Sequence, residues 1–186
     1  MNRNIAFQHR TIACLCVLLL LLINNAAANA QAVSVEAVRA AFIFKMTRFV
    51  QWQGVSQNEL IFCFSDTSPE SPSSVLQQKD TLKTDKYNIT IRKLALPLDD
   101  ESNKSCQLVY ISKHDIEYIT EASLKLLSKT QLTVGDSQEF LANGGLISLV
   151  YEQQKIKFYV NRKELKQSSL RINAKLLALA KFYPQK

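Results

Sequence analysis

The chain has 186 residues, with 23 Lys and Arg against 16 Asp and Glu, a net charge of +7, and 47% hydrophobic residues. Its four glycines, Gly54, Gly135, Gly144 and Gly145, cannot assemble a dinucleotide-binding or phosphate-cradling loop. The basic residues are scattered along the chain, which reads as solvated surface rather than a nucleic-acid patch.

The first thirty residues have the three parts of a cleavable secretory signal. Arg3 and Arg10 supply positive charge, Ile12 to Ile23 form an apolar run, and Ala28 and Ala30 fit the small-x-small rule for cleavage before Gln31. A spanning helix needs about 20 apolar residues, and this run stops at Asn24 and Asn25. Cys14 and Cys16 lie inside the run rather than at its end, so the pattern is not that of a lipoprotein. The expectation is an exported protein outside the cytoplasm, with residues 31–186 as one domain.

Beyond the signal, Ser34 can cap a helix with Glu36 in its first turn. Val35, Val38, Phe42, Met46 and Phe49 continue that helix toward Trp52 and Gly54. Leu60 to Phe64 reads as a buried strand, Ser68-Pro69-Glu70-Ser71-Pro72 as opening a short helix through Val75 and Leu76, and Asn88 to Leu94 as an alternating strand. Pro97 to Ser105 reads as an exposed loop, Gln107 to Ile111 as a strand, and Ile116 to Leu127 as a helix. A short strand, Gln131 to Val134, precedes a helical turn, Ser137 to Ala142, which Gly144-Gly145 stop. Leu146 to Tyr151 and Ile156 to Val160 form a hairpin, the second arm alternating cleanly. Arg171 to Tyr183 reads as a closing amphipathic helix through Ile172, Leu176, Leu179, Ala180 and Tyr183. This alternation predicts a single α/β domain: a mixed, mostly parallel sheet flanked by helices on both faces, with an antiparallel hairpin near the C-terminus.

Two cysteines remain after the signal, Cys63 and Cys106, each in an apolar run. In an oxidising compartment the simplest state is one disulfide; two buried thiols are the alternative. With His114 they fall short of a four-ligand zinc set, so no metal or cofactor is expected. His114, in the polar turn Ser112-Lys113-His114-Asp115, reads as an exposed loop residue rather than a catalytic base. Asp99, Asp100 and Glu101 read as a solvated cluster. Asp66, Asp136 and Glu139 could supply a carboxylate pair for hydrolysis. Asp136 follows a strand, where α/β folds bind ligands, although Gly135-Asp136-Ser137 also suits a plain turn that caps the next helix.

Several segments together resemble one family. Phe42-Ile43-Phe44-Lys45-Met46-Thr47-Arg48-Phe49-Val50-Gln51-Trp52 is similar to the aromatic-rich N-terminal helix of YfiR-like periplasmic proteins. Leu132-Thr133-Val134-Gly135-Asp136, Phe140 to Ile147, Ile156 to Asn161 and Leu170 to Ala180 resemble its later blocks, in order, the last as its closing helix. Cys63 and Cys106 fall where members carry a cysteine pair. Gln53 stands where a proline is usual, Leu146 where a methionine is common, and Asn173-Ala174 replace a small hydroxyl pair that would cap the last helix.

The resemblance implies a non-enzymatic periplasmic repressor of a membrane-bound signalling enzyme. The expected partner is the periplasmic domain of an inner-membrane diguanylate cyclase, with a sensor kinase as the variant, so that cyclic di-GMP and biofilm formation follow. It further implies an OmpA-type outer-membrane lipoprotein that sequesters the regulator, and leaves a homodimer open. Candidate partner-binding residues are Phe49, Trp52, Asn161, Glu164, Leu170 and Ile172. The alternative function is a small-molecule-binding protein or hydrolase with a pocket near Asp136.

Overall fold

In the computed structural model, residues 33–55, 58–79, 82–98 and 100–184 are described; the expected signal segment lies outside them. Helix α1 (Val35–Met46) starts where the Ser34 side chain accepts the Ala37 N–H, with Glu36 in its first turn. It stops at Met46, and the chain turns into a short strand, β1 (Val50–Gln51), so Phe49 and Trp52 are not helical as expected. Strand β2 (Glu59–Phe64) follows, then helix α2 (Pro72–Gln77), which Ser71 caps, and strand β3 (Asn88–Lys93).

The stretch expected as an exposed loop holds a short helix, α3 (Asp100–Asn103), whose Asn103 is buried. Strand β4 (Leu108–Ile111) leads to a 3-10 turn (Ile116–Tyr118) and helix α4 (Glu121–Ser128). The continuous helix expected from Ile116 is broken because Ile119 is extended and Thr120 caps anew, accepting the Ser123 N–H. Strand β5 (Leu132–Gly135), helix α5 (Gln138–Ala142) and the hairpin β6 (Ile147–Glu152) and β7 (Lys155–Asn161) come next. The hairpin turns on Gln153 and Gln154, both with positive φ, as a two-residue primed turn requires.

Helix α6 (Arg162–Gln167), strand β8 (Arg171–Ile172), helix α7 (Ala174–Leu177) and strand β9 (Lys181–Tyr183) end the chain. This corrects the closing amphipathic helix. Ile172 pairs with Val50, Phe182 pairs with Val160, and Leu179 is 73% exposed on the turn between them. Long-range strand pairing overrides a helical spacing here, since β propensity depends on the sheet a segment can join. The helix that does form is capped by Asn173, whose side chain accepts the Lys175 N–H.

The main sheet has the order β3-β2-β4-β5-β6-β7-β9, and β1 and β8 form a separate antiparallel pair. Strands β3, β2, β4, β5 and β6 are mutually parallel; β7 runs against β6, and β9 runs with β7. The sequence expectation of a mostly parallel α/β sheet with an antiparallel hairpin therefore holds. Alternation along each strand feeds two cores. Leu60, Phe62, Phe64, Leu108 and Tyr110 face Ala40, Ile43 and Met46 of α1 and Leu76 of α2. Cys63, Val109 and Ile111 face Leu124 and Leu127 of α4 and Phe140 and Leu141 of α5. On that second face Cys63 and Cys106 form a disulfide, with Cα atoms 5.9 Å apart.

The Phe140 ring sits directly on two glycines. A methyl group at Gly135 would lie 2.4 Å from its ring, and one at Gly145 only 2.0 Å away. Gly145 is therefore more than a helix stop; that role belongs to Gly144, whose φ is +99°.

Candidate functional site

The five parallel strands reverse their winding between β2 and β4. The chain leaves β2 toward β3 on one side and builds β4, β5 and β6 on the other. In doubly wound sheets the crevice outside the strand C-termini at such a point is where ligands bind. Here a crevice of about 420 Å³ opens at that position, lined among others by Glu36, Arg39, Asp66, Tyr110, Lys113 and Asp136.

Side chains lock the strand-end loops together. Ser65 Oγ donates to Asp115 Oδ2 at 2.6 Å and accepts the Ser112 N–H. Lys113 N donates to Asp136 Oδ1 at 2.7 Å. Helix α1 adds Arg39, which is buried; its Nε donates to the Leu149 carbonyl at 3.1 Å. Its Nη1 pairs with Glu36 and lies 3.7 Å from Asp136 Oδ2. A buried charge needs such partners, because desolvation otherwise makes it prohibitive.

Asp136 is 7% exposed. Burial holds its carboxyl above the usual range, offset in part by Arg39 and by the Lys113 N–H. Glu36 is raised for the same reason, again offset by Arg39. The Tyr110 hydroxyl is pushed well up by burial and by the neighbouring Asp136 charge. A carboxyl whose folded pKa is raised binds its proton more tightly in the native state, so its contribution to stability is greatest at low pH and is lost as pH rises through the raised value. The stability difference between the wild type and Asp136→Asn should therefore move in the wild type's favour as pH falls from 7.5 toward the ordinary carboxylate range. Paired thermal melts across that window check this; a pH-independent difference would show that Asp136 does not titrate abnormally.

Of the carboxylates singled out in the sequence, Asp66 and Asp136 share this crevice, whereas Glu139 is exposed on α5 and does not line it. Asp136 does not cap α5; Ser137 does, accepting the Phe140 N–H. His114 is exposed at the crevice rim, as expected. The side chains of Asp99 and Asp100 lie outside the described residues, and Glu101 pairs with Lys104. Sequence reasoning missed Arg39 and Tyr110. The signal for Arg39 was a lone cation inside the apolar run Ala37 to Phe44, three residues after an acid.

A second recess, of about 570 Å³, lies beside the β1–β8 pair and is lined in part by Arg48, Phe49, Trp52, Asp85, Tyr87 and Asn173. The pairing puts Ile172 opposite Val50, and Asn173 N donates to the Phe49 carbonyl. Trp52 is partly exposed; its Nε1 donates to the Thr47 carbonyl at 3.1 Å and its ring packs 6.2 Å from Phe62. Phe49 and Ile172 are likewise partly exposed, so three of the six candidate partner residues meet at one edge. Asn161, Glu164 and Leu170 are buried instead. Asn161 caps α6 by accepting the Glu164 N–H and donates to the Leu141 carbonyl.

The strand order and the strand-end crevice define a doubly wound α/β domain closed by an antiparallel hairpin. The chain belongs to the YfiR/HmsC-like family, whose model matches residues 36–181. That is a family of periplasmic regulators rather than of enzymes. A comparison with curated proteins finds no match. Among the described residues no helix is long and apolar enough to cross a membrane.

Proposed function

We propose that the protein is a non-enzymatic periplasmic regulator that binds the periplasmic part of a membrane-bound diguanylate cyclase and represses it, lowering cyclic di-GMP and biofilm formation. Family membership supports the regulator role. The observation that supports this docking site is that β1–β8 pairing brings Ile172, from the far end of the chain, to the edge where Phe49 and Trp52 line the recess. Partly exposed aromatic side chains at a recess, with a partly exposed aliphatic one on the neighbouring strand, are what a protein partner's anchor residues need. A sensor kinase is the nearest variant of the partner, and an OmpA-type lipoprotein that sequesters the regulator would compete for it.

Deleting the gene should raise cellular cyclic di-GMP, and the wild-type gene should restore it. Phe49→Glu or Ile172→Lys should fail to restore it while melting close to the wild type. An unchanged cyclic di-GMP level on deletion would refute the cyclase as partner; full complementation by both variants would move the docking face elsewhere.

The second reading is a small-molecule-binding protein or hydrolase using Asp136. The strand-end crevice favours its binding form. Asp136 is already engaged by the Lys113 N–H and faces Arg39, an arrangement that positions charge rather than freeing a base.

A further inference from the structure

The main sheet ends on β9, which pairs with β7 on one side; among the described residues no strand lies on the other. An open edge of this kind is a template for a further extended chain. Between α6 and β9 lies a recess of about 610 Å³, lined in part by Arg162, Lys163, Lys166, Phe182, Tyr183 and Pro184. Neighbouring strand residues point to opposite faces, and Phe182 and Tyr183 do pack against different cores. A recess that touches both therefore sits at the margin of the strand rather than on one face of the sheet. Its charge is of one sign. Arg162, Lys163 and Lys166 are exposed, and among the described residues no carboxylate lines the recess and none of the three has an ion pair. Glu121, the acid whose field reaches Lys163, is paired with Lys125, and Glu164 on α6 is buried. Arg162 is held in place, with its guanidinium 4.0 Å over the Phe182 ring. Stacking fixes the guanidinium plane and leaves its N–H edge open to a carboxylate.

We propose that this sheet margin binds an extended acidic segment of a partner protein. An apolar anchor of the segment seats against Phe182 and Tyr183, and the Asp or Glu side chains flanking it meet Arg162, Lys163 and Lys166. Charge complementarity sets the sign of the partner, because three unpaired cations face solvent with no acid among them. A small inorganic anion would use the cations and leave the aromatic wall and the open strand edge empty. An anionic bilayer is flat, and takes up apolar side chains that project from a surface rather than ones that line a recess. The recess shares no lining residue with the one beside β1 and β8, so this surface is separate from the edge assigned to the cyclase.

The test uses the purified protein and the capped peptide Glu-Asp-Phe-Asp-Glu, with no cyclase present, so its failure is separable from failure of the regulatory reading. The uncharged peptide Gln-Asn-Phe-Asn-Gln is the control. In an amide NMR titration the acidic peptide should give saturable shifts along Arg162 to Gln167 and at Lys181 to Tyr183, and the control should give none. Arg162→Gln should weaken binding roughly tenfold and Lys166→Glu at least as much, while both exposed variants melt close to the wild type. Lys93→Glu removes the same charge as Lys166→Glu but lies on β3, the opposite edge of the sheet, and should change affinity by less than about twofold. Equal weakening by Lys93→Glu would overturn the proposal, since the attraction would then be to net charge alone. So would equal binding of the control peptide, or no saturable shift up to about 5 mM acidic peptide. Shifts at the same amides with phosphatidylglycerol vesicles and not with the peptide would overturn it in favour of a membrane surface.

Discussion

Replacing Cys63 and Cys106 together by alanine is expected to lower the melting temperature by about 8–16 °C. The disulfide joins residues 43 apart in sequence. In the chain-entropy model, closing a loop of that length removes unfolded-state freedom equivalent to roughly 4 kcal/mol. For a domain of this size each kcal/mol is worth about 2–4 °C. Both sulfurs are buried in the core between the sheet and helices α4 and α5, so the loss is not masked by solvent exposure. Reductant added to the folded wild type should reproduce the shift. A drop below about 3 °C would mean that the bond contributes little beyond the packing around it. Because the bond ties β2 to the entry of β4, the two strands that flank the strand-end crevice, its loss should loosen that crevice before the hairpin side of the sheet.

Gly145→Ala is expected to destabilise by about 3 kcal/mol, a fall of about 6–12 °C in melting temperature. The added methyl would fall 2.0 Å from the Phe140 ring, which is fully buried and cannot swing away. All the atoms it would meet belong to that one ring, not to a flexible chain end, so the clash must be absorbed by moving α5 from the sheet. Phe140→Leu alone leaves a cavity and costs stability, but combined with Gly145→Ala it should cost less than the sum of the two, by about 1 kcal/mol or more. Additive losses in that double-mutant cycle would show that the ring and the glycine do not share one packing contact.

Much of the fold was legible because strand alternation is a local signal. Ile156, Phe158 and Val160 against Lys157 and Tyr159 could only be a strand with two differing faces, and the structure sorts them so. The cap Ser34 was legible too, since it precedes an apolar stretch and satisfies a free backbone N–H group. The end of the chain was not. Residues 172, 176, 179, 180 and 183 keep a helical spacing, and nothing local says that Ile172 will pair with Val50 or Phe182 with Val160. The break at Ile119 was missed because Thr120, a capping residue in retrospect, sits among residues that would continue a helix. At the crevice, Asp136 was found by its place after a strand. Arg39 and Tyr110 were not, because what distinguishes them is the company they keep across the sheet: a carbonyl on β6 and a carboxylate after β5 for Arg39, and that same carboxylate beside the Tyr110 hydroxyl.

The β1–β8 pair carries a consequence for how the protein is made. Val50 finds its partner only when Ile172 is available, near the far end of the described chain. A chain delivered in order from its N-terminus must hold β1 unpaired until nearly all of it has arrived, while β2 through β5 can already assemble from contacts close in sequence. The edge proposed for partner docking is thus among the last to form. Chains truncated before Arg171, or not yet delivered that far, would lack it, so that the proposed docking edge exists only on a nearly finished molecule: quality control written into the order of assembly.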